Sequence, residues 1–411
     1  MPSPSSAVSY LIVGAGPAGL QMAHLLSEAG CDDYVVIEGG PGAGTFFETY
    51  PRHGMLLSIN RRHNLFPEPD FNLRHDWNSL LSDDPDLLFK NYSQELFPHK
   101  DDFVRYLKDF AARLEGNIRY DTKVERISRA ADGGFEVAVS GGDVYHARQV
   151  LMATGAVTPY LPPDIEGIEH AESYETHSLD PVDYEGQTVA IIGGGNSAFE
   201  VANHLAGHAA VIHLLLREPV RHAWSTHFPG DLRAINNNVL DMYQLKSLHA
   251  TIGFTVKSIS PADGGGFDVV LEGEQAHWDP PATATFPMRY HHVIRCTGWR
   301  YVDESIFAPD CRPEVDAGGK YPVLSSSWES TVPGLYFIGA AMAARDRKAA
   351  TPFIHGFRYS VRTAFHLLRE RHDGTPLPRH EVSVKTPEEI TALAFQLIHR
   401  MSTAGSLYQQ F

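Results

Sequence analysis

An α/β architecture is predicted: two Rossmann-like dinucleotide-binding domains, each carrying a β-meander, the second inserted into the first. Three observations predict it. An apolar strand, a glycine turn and a helix follow one another at residues 10–30 and again at 188–206. A meander whose last strand ends in Thr-Gly follows each of these units, so the plan repeats. After the second copy, the buried run Leu335-Tyr336-Phe337-Ile338-Gly339 brings the chain back to the first domain. The expected boundaries are 1–180 for the first part of the first domain, 181–325 for the second, and 326–411 for the remainder with a C-terminal helix and tail.

Taken in order, Tyr10-Leu11-Ile12-Val13 is apolar and partly β-branched, as a buried strand requires. Gly14-Ala15-Gly16-Pro17-Ala18-Gly19 follows directly. Gly14 permits the tight turn, Gly16 lets backbone approach a pyrophosphate, and Gly19 lets the helix pack on the strand. The helix N-terminus then faces the phosphates with its N–H groups. The second strand, Tyr34-Val35-Val36-Ile37, ends on Glu38, where the fold places the acid that holds a ribose 2′-hydroxyl.

Residues 41–64 have no period and read as a loop over the cofactor, with a short strand at Leu57-Ser58-Ile59-Asn60. Asn60 either offers an N–H to a cofactor ring or caps the next turn. Residues 70–100 resemble an insertion with short helices. A helix follows from Asp101 through Phe103, Leu107, Phe110 and Leu114, apolar at helical spacing. Its apolar face belongs to the core.

The two meanders match segment by segment. The first runs from Val124 and Ile127 through Phe135 to Val150-Leu151-Met152-Ala153-Thr154-Gly155; the second runs from Val256 and Ile259 through Phe267 to Val293-Ile294-Arg295-Cys296-Thr297-Gly298. Val124, Ala153, Thr154, Gly155, Thr297 and Gly298 are candidate cofactor contacts at these crossovers. The second fingerprint is Gly193-Gly194-Gly195-Asn196-Ser197-Ala198, with Ala at the last position. Its next strand, residues 211–216, ends on Arg217 where the first domain has Glu38. A carboxylate repels a 2′-phosphate, whereas a guanidinium binds one through two charge-assisted hydrogen bonds. The first site therefore suits FAD and the second NADPH. Arg217 as a solvated surface charge is the alternative.

The 411 residues carry a formal net charge of −16, which argues against nucleic acid or an anionic membrane as the main partner. The polar first nine residues and the early fingerprint lead us to expect no cleaved leader and a cytoplasmic address. Three widely spaced cysteines, Cys31, Cys296 and Cys311, without CxxC, make a redox dithiol improbable, and no metal-ligand spacing is present. Near the end, a helix opens at Phe353 with His355 and Gly356 in its first turn, its N-terminus set to meet a flavin carbonyl edge. Thr386-Pro387-Glu388-Glu389 is a capping box that opens a last helix to about Arg400. The tail 402–411 either folds back over the cofactor or frays.

With two fingerprints, Thr-Gly crossovers and a late Tyr-Phe-Ile-Gly strand, the chain resembles the two-dinucleotide-binding-domain flavoproteins, and within them the flavin-containing monooxygenase branch. The resemblance implies an Asn beside the reactive flavin edge at Asn60. It implies a linker histidine at His177, in a weakened FxGxxxHSxxY motif with Ala171, Ser173 and Pro181 at the variant places. It also implies contacts from Gly339 and Phe353, with Asp346 replacing the acid that relatives carry after the late strand. The implied activity is NADPH- and O₂-dependent oxygenation of a small molecule through a C4a-(hydro)peroxyflavin. The expected partners are that substrate and O₂, with a homodimer left open. Two rivals remain: an NADPH-dependent flavin reductase with an external acceptor, and an FAD-holding binding or scaffold protein.

Overall fold

The computed structural model describes residues 7–114, 116–275, 282–346 and 350–409. Its strands include β1 (Ala7–Val13), β2 (Tyr34–Ile37), β3 (Ile118–Arg119), β4 (Val124–Arg129), β5 (Phe135–Val139), β6 (Val144–Met152) and β7 (Glu172–Ser173). They continue with β8 (Thr188–Ile192), β9 (Val211–Leu215), β10 (Ala250–Ile252), β11 (Thr255–Pro261), β12 (Phe267–Gln275), β13 (Ala282–Tyr290), β14 (His292–Arg295) and β15 (Leu335–Phe337). The longer helices are α1 (Pro17–Glu28), α2 (Lys100–Ala112), α3 (Asn196–Leu205), α4 (Ile354–Asp373) and α5 (Pro387–Thr403).

Buried on both faces, β1 and β2 can consist of almost unbroken apolar residues, and they pair in parallel with Tyr10 opposite Tyr34 and Val13 opposite Ile37. β6 organises the first unit. From His146 to Met152 it lies parallel to β1, its first half pairs antiparallel with β5, and its last three residues pair in parallel with β15. One strand thus belongs both to the parallel Rossmann sheet, ordered β3-β2-β1-β6, and to the meander β6-β5-β4. The core of this unit runs from Val8 and Leu11 through Phe135 and Val150 to Phe307, Leu335 and Phe337. α2 buries Phe103, Leu107 and Phe110 as its spacing predicts.

The second unit divides the same roles between two strands. β13 completes an antiparallel sheet β11-β12-β13, and β14 starts again after His291 as a parallel member of β10-β9-β8-β14-β7. The single last strand expected for this meander is therefore two, and the parallel sheet and the meander are separate layers here. The core between them holds Ile192, Leu215, Val256, Val269 and Val293, while Val189, Phe199 and Leu214 lie on the other face.

The chain divides into two compact units, the first 1–49, 58–158 and 300–411, the second 50–57 and 159–299. Both long breaks precede the boundaries expected at 180/181 and 325/326. Residues after 158 follow the second sheet because Ile168, Ala171 and Tyr174 enter its cores. Residues after 299 follow the first because Val302, Phe307, Ala308 and Cys311 enter its core. The short piece 50–57 joins the second unit through Arg52, which donates to the carbonyls of Tyr174 and His177. Among the described residues, no helix is long and apolar enough to cross a membrane.

Candidate functional site

Both glycine turns are built by the same backbone bonds. Gly14 N–H donates to Ile37 O at 2.7 Å and Ala153 N–H to Val13 O at 2.8 Å; in the second unit Gly193 N–H donates to Leu215 O at 3.2 Å and Cys296 N–H to Ile192 O at 2.8 Å. Gly14 has φ +108° and Gly193 φ +137°, conformations that L side chains rarely adopt. A methyl on either would also press on a carbonyl, Ala153 O at 2.9 Å or Cys296 O at 2.4 Å. Each Thr-Gly crossover thus lies directly behind its own turn. Gly19 serves close packing, because a methyl there would lie 1.9 Å from Gly14 O. Ala198 occupies the corresponding place in α3 and is fully buried.

The second glycine of each turn differs from its neighbours. A methyl on Gly16 or Gly195 would meet no protein atom within 4 Å. Both are N-caps, of α1 and α3, and neither offers a side chain to the helix N–H groups. An uncapped helix N-terminus beside an open glycine is an anion site of the kind a pyrophosphate occupies.

In the first unit this turn opens into a cavity of about 260 Å³. Gly14, Gly16, Glu38, Val124, Ala153 and Thr154 line it, all six of them expected from sequence. The volume is at the small end for ligand sites and gives room for part of a dinucleotide rather than all of one. Glu38 Oε2 accepts from Ala15 N–H at 2.7 Å and Oε1 from Gly40 N–H at 2.8 Å. A carboxylate has about four acceptor positions, so each oxygen keeps one for a ribose hydroxyl. Pro17, Ala18 and Gly19 begin α1 behind the turn, and Gly339 approaches them so closely that a methyl on it would lie 2.5 Å from Ala18 Cβ. The residues fit the adenosine and pyrophosphate part of FAD.

Sequence reasoning missed Thr45, Phe46, Lys123, Tyr301, Asp303 and Phe307 in the lining. The aromatic run after Thr297-Gly298 was the one available signal. Gly155, just past Thr154, is left-handed with φ +61°. Asp346 is exposed at the end of the 3₁₀ turn Gly339–Ala344 and lies outside this lining. Phe353 caps α4.

Asn60 is not on a strand; residues 57–60 are irregular, which corrects that expectation. The insertion sets its place instead. Its N–H donates to Leu96 O and its Nδ2 to Ser93 O, both at 2.8 Å, and it is 7% exposed. The insertion is in turn pinned by Arg358 of α4, fully buried, which donates to the carbonyls of Ser79, Leu73 and Asp76 at 2.5–2.9 Å.

In the second unit Arg217 stands exposed just past β9, 3.8 Å from Asp164. Such a surface pair contributes little and leaves the guanidinium available. Asn196 is placed differently from a cofactor ligand. Its Nδ2 donates to Gly230 O and Asp231 O, and its Oδ1 accepts from Arg233 N–H and Asn236 Nδ2, all at 3.0–3.3 Å. The side chain staples the 230–236 loop to the start of α3, so Asn196 has only its backbone left for an anion. Thr297 Oγ1 donates to Tyr160 O at 2.5 Å, and Gly298 has φ +88°.

His177 is 1% exposed. Its Nδ1 lies 2.9 Å from Tyr174 O, so that nitrogen carries the hydrogen and Nε2 is a bare acceptor, buried with no partner. Burial first, then the Arg52 guanidinium, lowers its pKa, so the ring is neutral at pH 7. The three cysteines are free, and burial is the largest cause raising the pKa of each. None is an activated thiolate. Among the described residues there is no metal-binding cluster.

The sequence profile of the family described as pyridine nucleotide-disulphide oxidoreductase matches residues 11–339. This chain belongs to that family. FAD and a pyridine nucleotide are the cofactors that go with its paired folds.

Among its relatives is the FAD-dependent oxidoreductase domain-containing protein 2 of Mus musculus, 43% identical over 98% of this chain and 63% of the relative. Another is the indole-3-pyruvate monooxygenase YUCCA1 of Oryza sativa subsp. japonica, 27% identical over 60% of this chain and 58% of the relative. The chain thus spans less than two thirds of the length of the curated relatives it matches. The fold is shared with the bacillithiol disulfide reductase of Staphylococcus aureus, with TM-score 0.65 and 18% identity over 89% of this chain and 99% of the other. It is shared equally with a flavin-containing monooxygenase from Stenotrophomonas maltophilia, with TM-score 0.65 and 19% identity over 89% and 99%.

Proposed function

We propose that this chain is an NADPH-dependent FAD monooxygenase that oxygenates a small molecule. The observation that carries the reading is the pair of like-built glycine turns with opposite charges beside them, Glu38 in one unit and Arg217 in the other. Glu38 and the open face of Gly16 hold the FAD ribose and pyrophosphate; Gly195 and Arg217 hold the NADPH pyrophosphate and 2′-phosphate. FAD, when bound, supplies hydride acceptance and oxygen activation. The protein's part is to bind, to orient and to keep water out. Asn60, held rigidly by Ser93 and Leu96, presents its amide for hydrogen bonding to the reacting partners. His177 offers Nε2 as a hydrogen-bond acceptor and is a positioning residue rather than a proton donor. The absence of an activated thiolate disfavours a dithiol relay.

Coupling tests the reading. The FAD-loaded protein is given NADPH and O₂ with an amine, a sulfide or a ketone, and NADPH oxidation is compared with oxygenated product by mass spectrometry. Product formed in proportion to NADPH supports it. NADPH oxidation that yields only hydrogen peroxide, or passes only to an added quinone, makes the chain a reductase. No flavin reduction at all makes it a binding protein.

A further inference from the structure

The capping box at Thr386 is formed as the sequence predicts, but the helix it opens meets the rest of the chain only near its C-terminal end. No residue of α5 is buried. Its C-terminal end is tied down: Arg400 Nη1 pairs with Asp70 at 2.8 Å, Arg74 donates to Ser402 O, and the tail turns back so that Ala404 and Gly405 are buried. The tail therefore docks on the first unit instead of fraying. Before the helix, residues 374–385 are exposed and irregular. α5 is thus held at its C-terminal end, with most of its residues exposed.

That helix has one apolar face. At about 100° per residue, Ile390, Leu393, Ala394, Leu397, Ile398 and Met401 fall within a stripe about 140° wide. Ile390, Leu397, Ile398 and Met401 are 53–68% exposed. Scattered exposed apolar residues need no explanation, but a continuous stripe on a helix with no buried residue does.

We propose that α5 is a self-association helix, occupied by α5 of a second copy laid antiparallel. Two features select this occupant. The stripe maps onto itself about its midpoint, so that Ile390 faces Met401, Leu393 faces Ile398 and Ala394 faces Leu397 of the other copy, as a two-fold interface requires. The flanking charges also fit only this direction. Glu389 and Arg400 lie on the same edge of the stripe at opposite ends, so a two-fold antiparallel pair sets each Glu389 beside the other copy's Arg400, twice. Parallel packing would set them against the neutral edge of Thr391 and Ser402. Glu389 receives its capping bonds at Oε2, which leaves Oε1 for the partner, and Arg400 has further N–H groups beyond the one on Asp70.

The FAD-loaded protein is examined by sedimentation equilibrium. A reversible dimer is expected, with Leu397→Glu raising its dissociation constant about thirtyfold or more. Because Leu397 is exposed, flavin absorbance and melting temperature of the monomer stay unchanged. Oxidative cross-linking then reads direction. A mixture of Ile390→Cys and Met401→Cys proteins forms an interchain disulfide, and neither does so alone, since like positions lie about 16 Å apart along the pair. A wild-type monomer at the highest concentration, a dimer indifferent to Leu397→Glu, or cross-linking of Ile390→Cys with itself overturns the proposal.

Discussion

Gly16→Ala is expected to separate cofactor binding from folding. A methyl there meets no protein atom within 4 Å, and the backbone at φ −78°, ψ −177° suits any residue. The cost to the fold is the poorer N-cap alone, at most about 1 kcal/mol. The same methyl stands where a pyrophosphate must approach the α1 N–H groups. Hydrogen bonds to a charged partner are worth about 1.5–3 kcal/mol, so FAD affinity falls by roughly 10- to 150-fold. Gly19→Ala is the contrasting control. Its methyl would lie 1.9 Å from Gly14 O, so α1 must shift, costing about 1–3 kcal/mol or more before any cofactor is added. FAD is removed, apoprotein melting is recorded, and FAD is titrated back by fluorescence quenching. The Gly16 variant should melt within about 3 °C of the parent and bind FAD weakly, while the Gly19 variant melts lower. Parent-like FAD affinity in Gly16→Ala, or an apoprotein loss as large as that of Gly19→Ala, refutes the assignment of this turn. Gly195→Ala should reproduce the effect for NADPH and leave FAD binding intact.

Three further outcomes are expected. Arg217→Glu should raise the KM for NADPH by about ten- to a hundredfold and leave that for NADH nearly unchanged; equal effects on both would make Arg217 a surface charge. Asn196→Ala removes four hydrogen bonds, so limited proteolysis should newly cut the 228–237 loop and KM for NADPH should rise at unchanged FAD content. A protected loop would show that Asn196 does not hold it. Acid should destabilise the protein because His24, His75, His177, His213, His366 and His372 all have lowered pKa values, burial being the largest cause for each. The unfolded chain takes up these protons first, so stability is complete above about pH 6.5 and declines as pH falls toward the folded values. Melting temperature measured from pH 7.5 to 5.0 should drop, and His177→Gln should lessen the drop; a flat profile would mean these rings protonate freely in the folded state.

What the residues determined unaided was local and periodic. The apolar run before Gly14, the glycines at their spacing, Glu38 and Arg217 one strand later and the Thr386 capping box are short-range features whose chemistry is complete within about thirty residues. Their positions in the sheets followed because a parallel strand buried on both faces admits little else than Val, Ile, Leu and Tyr. Tertiary structure alone decided the rest. Asn60 owes its position to Ser93 and Leu96, and through the insertion to Arg358, contacts no spacing reveals. Asn196 belongs to a motif yet holds a loop some thirty-five residues away, because an amide with two donors and two acceptor positions joins whichever backbone groups the fold brings to it. The 50–57 piece joins the second unit, and the α5 stripe stays uncovered, for the same reason: a side chain states what it can bind, and only the folded chain determines what stands within reach.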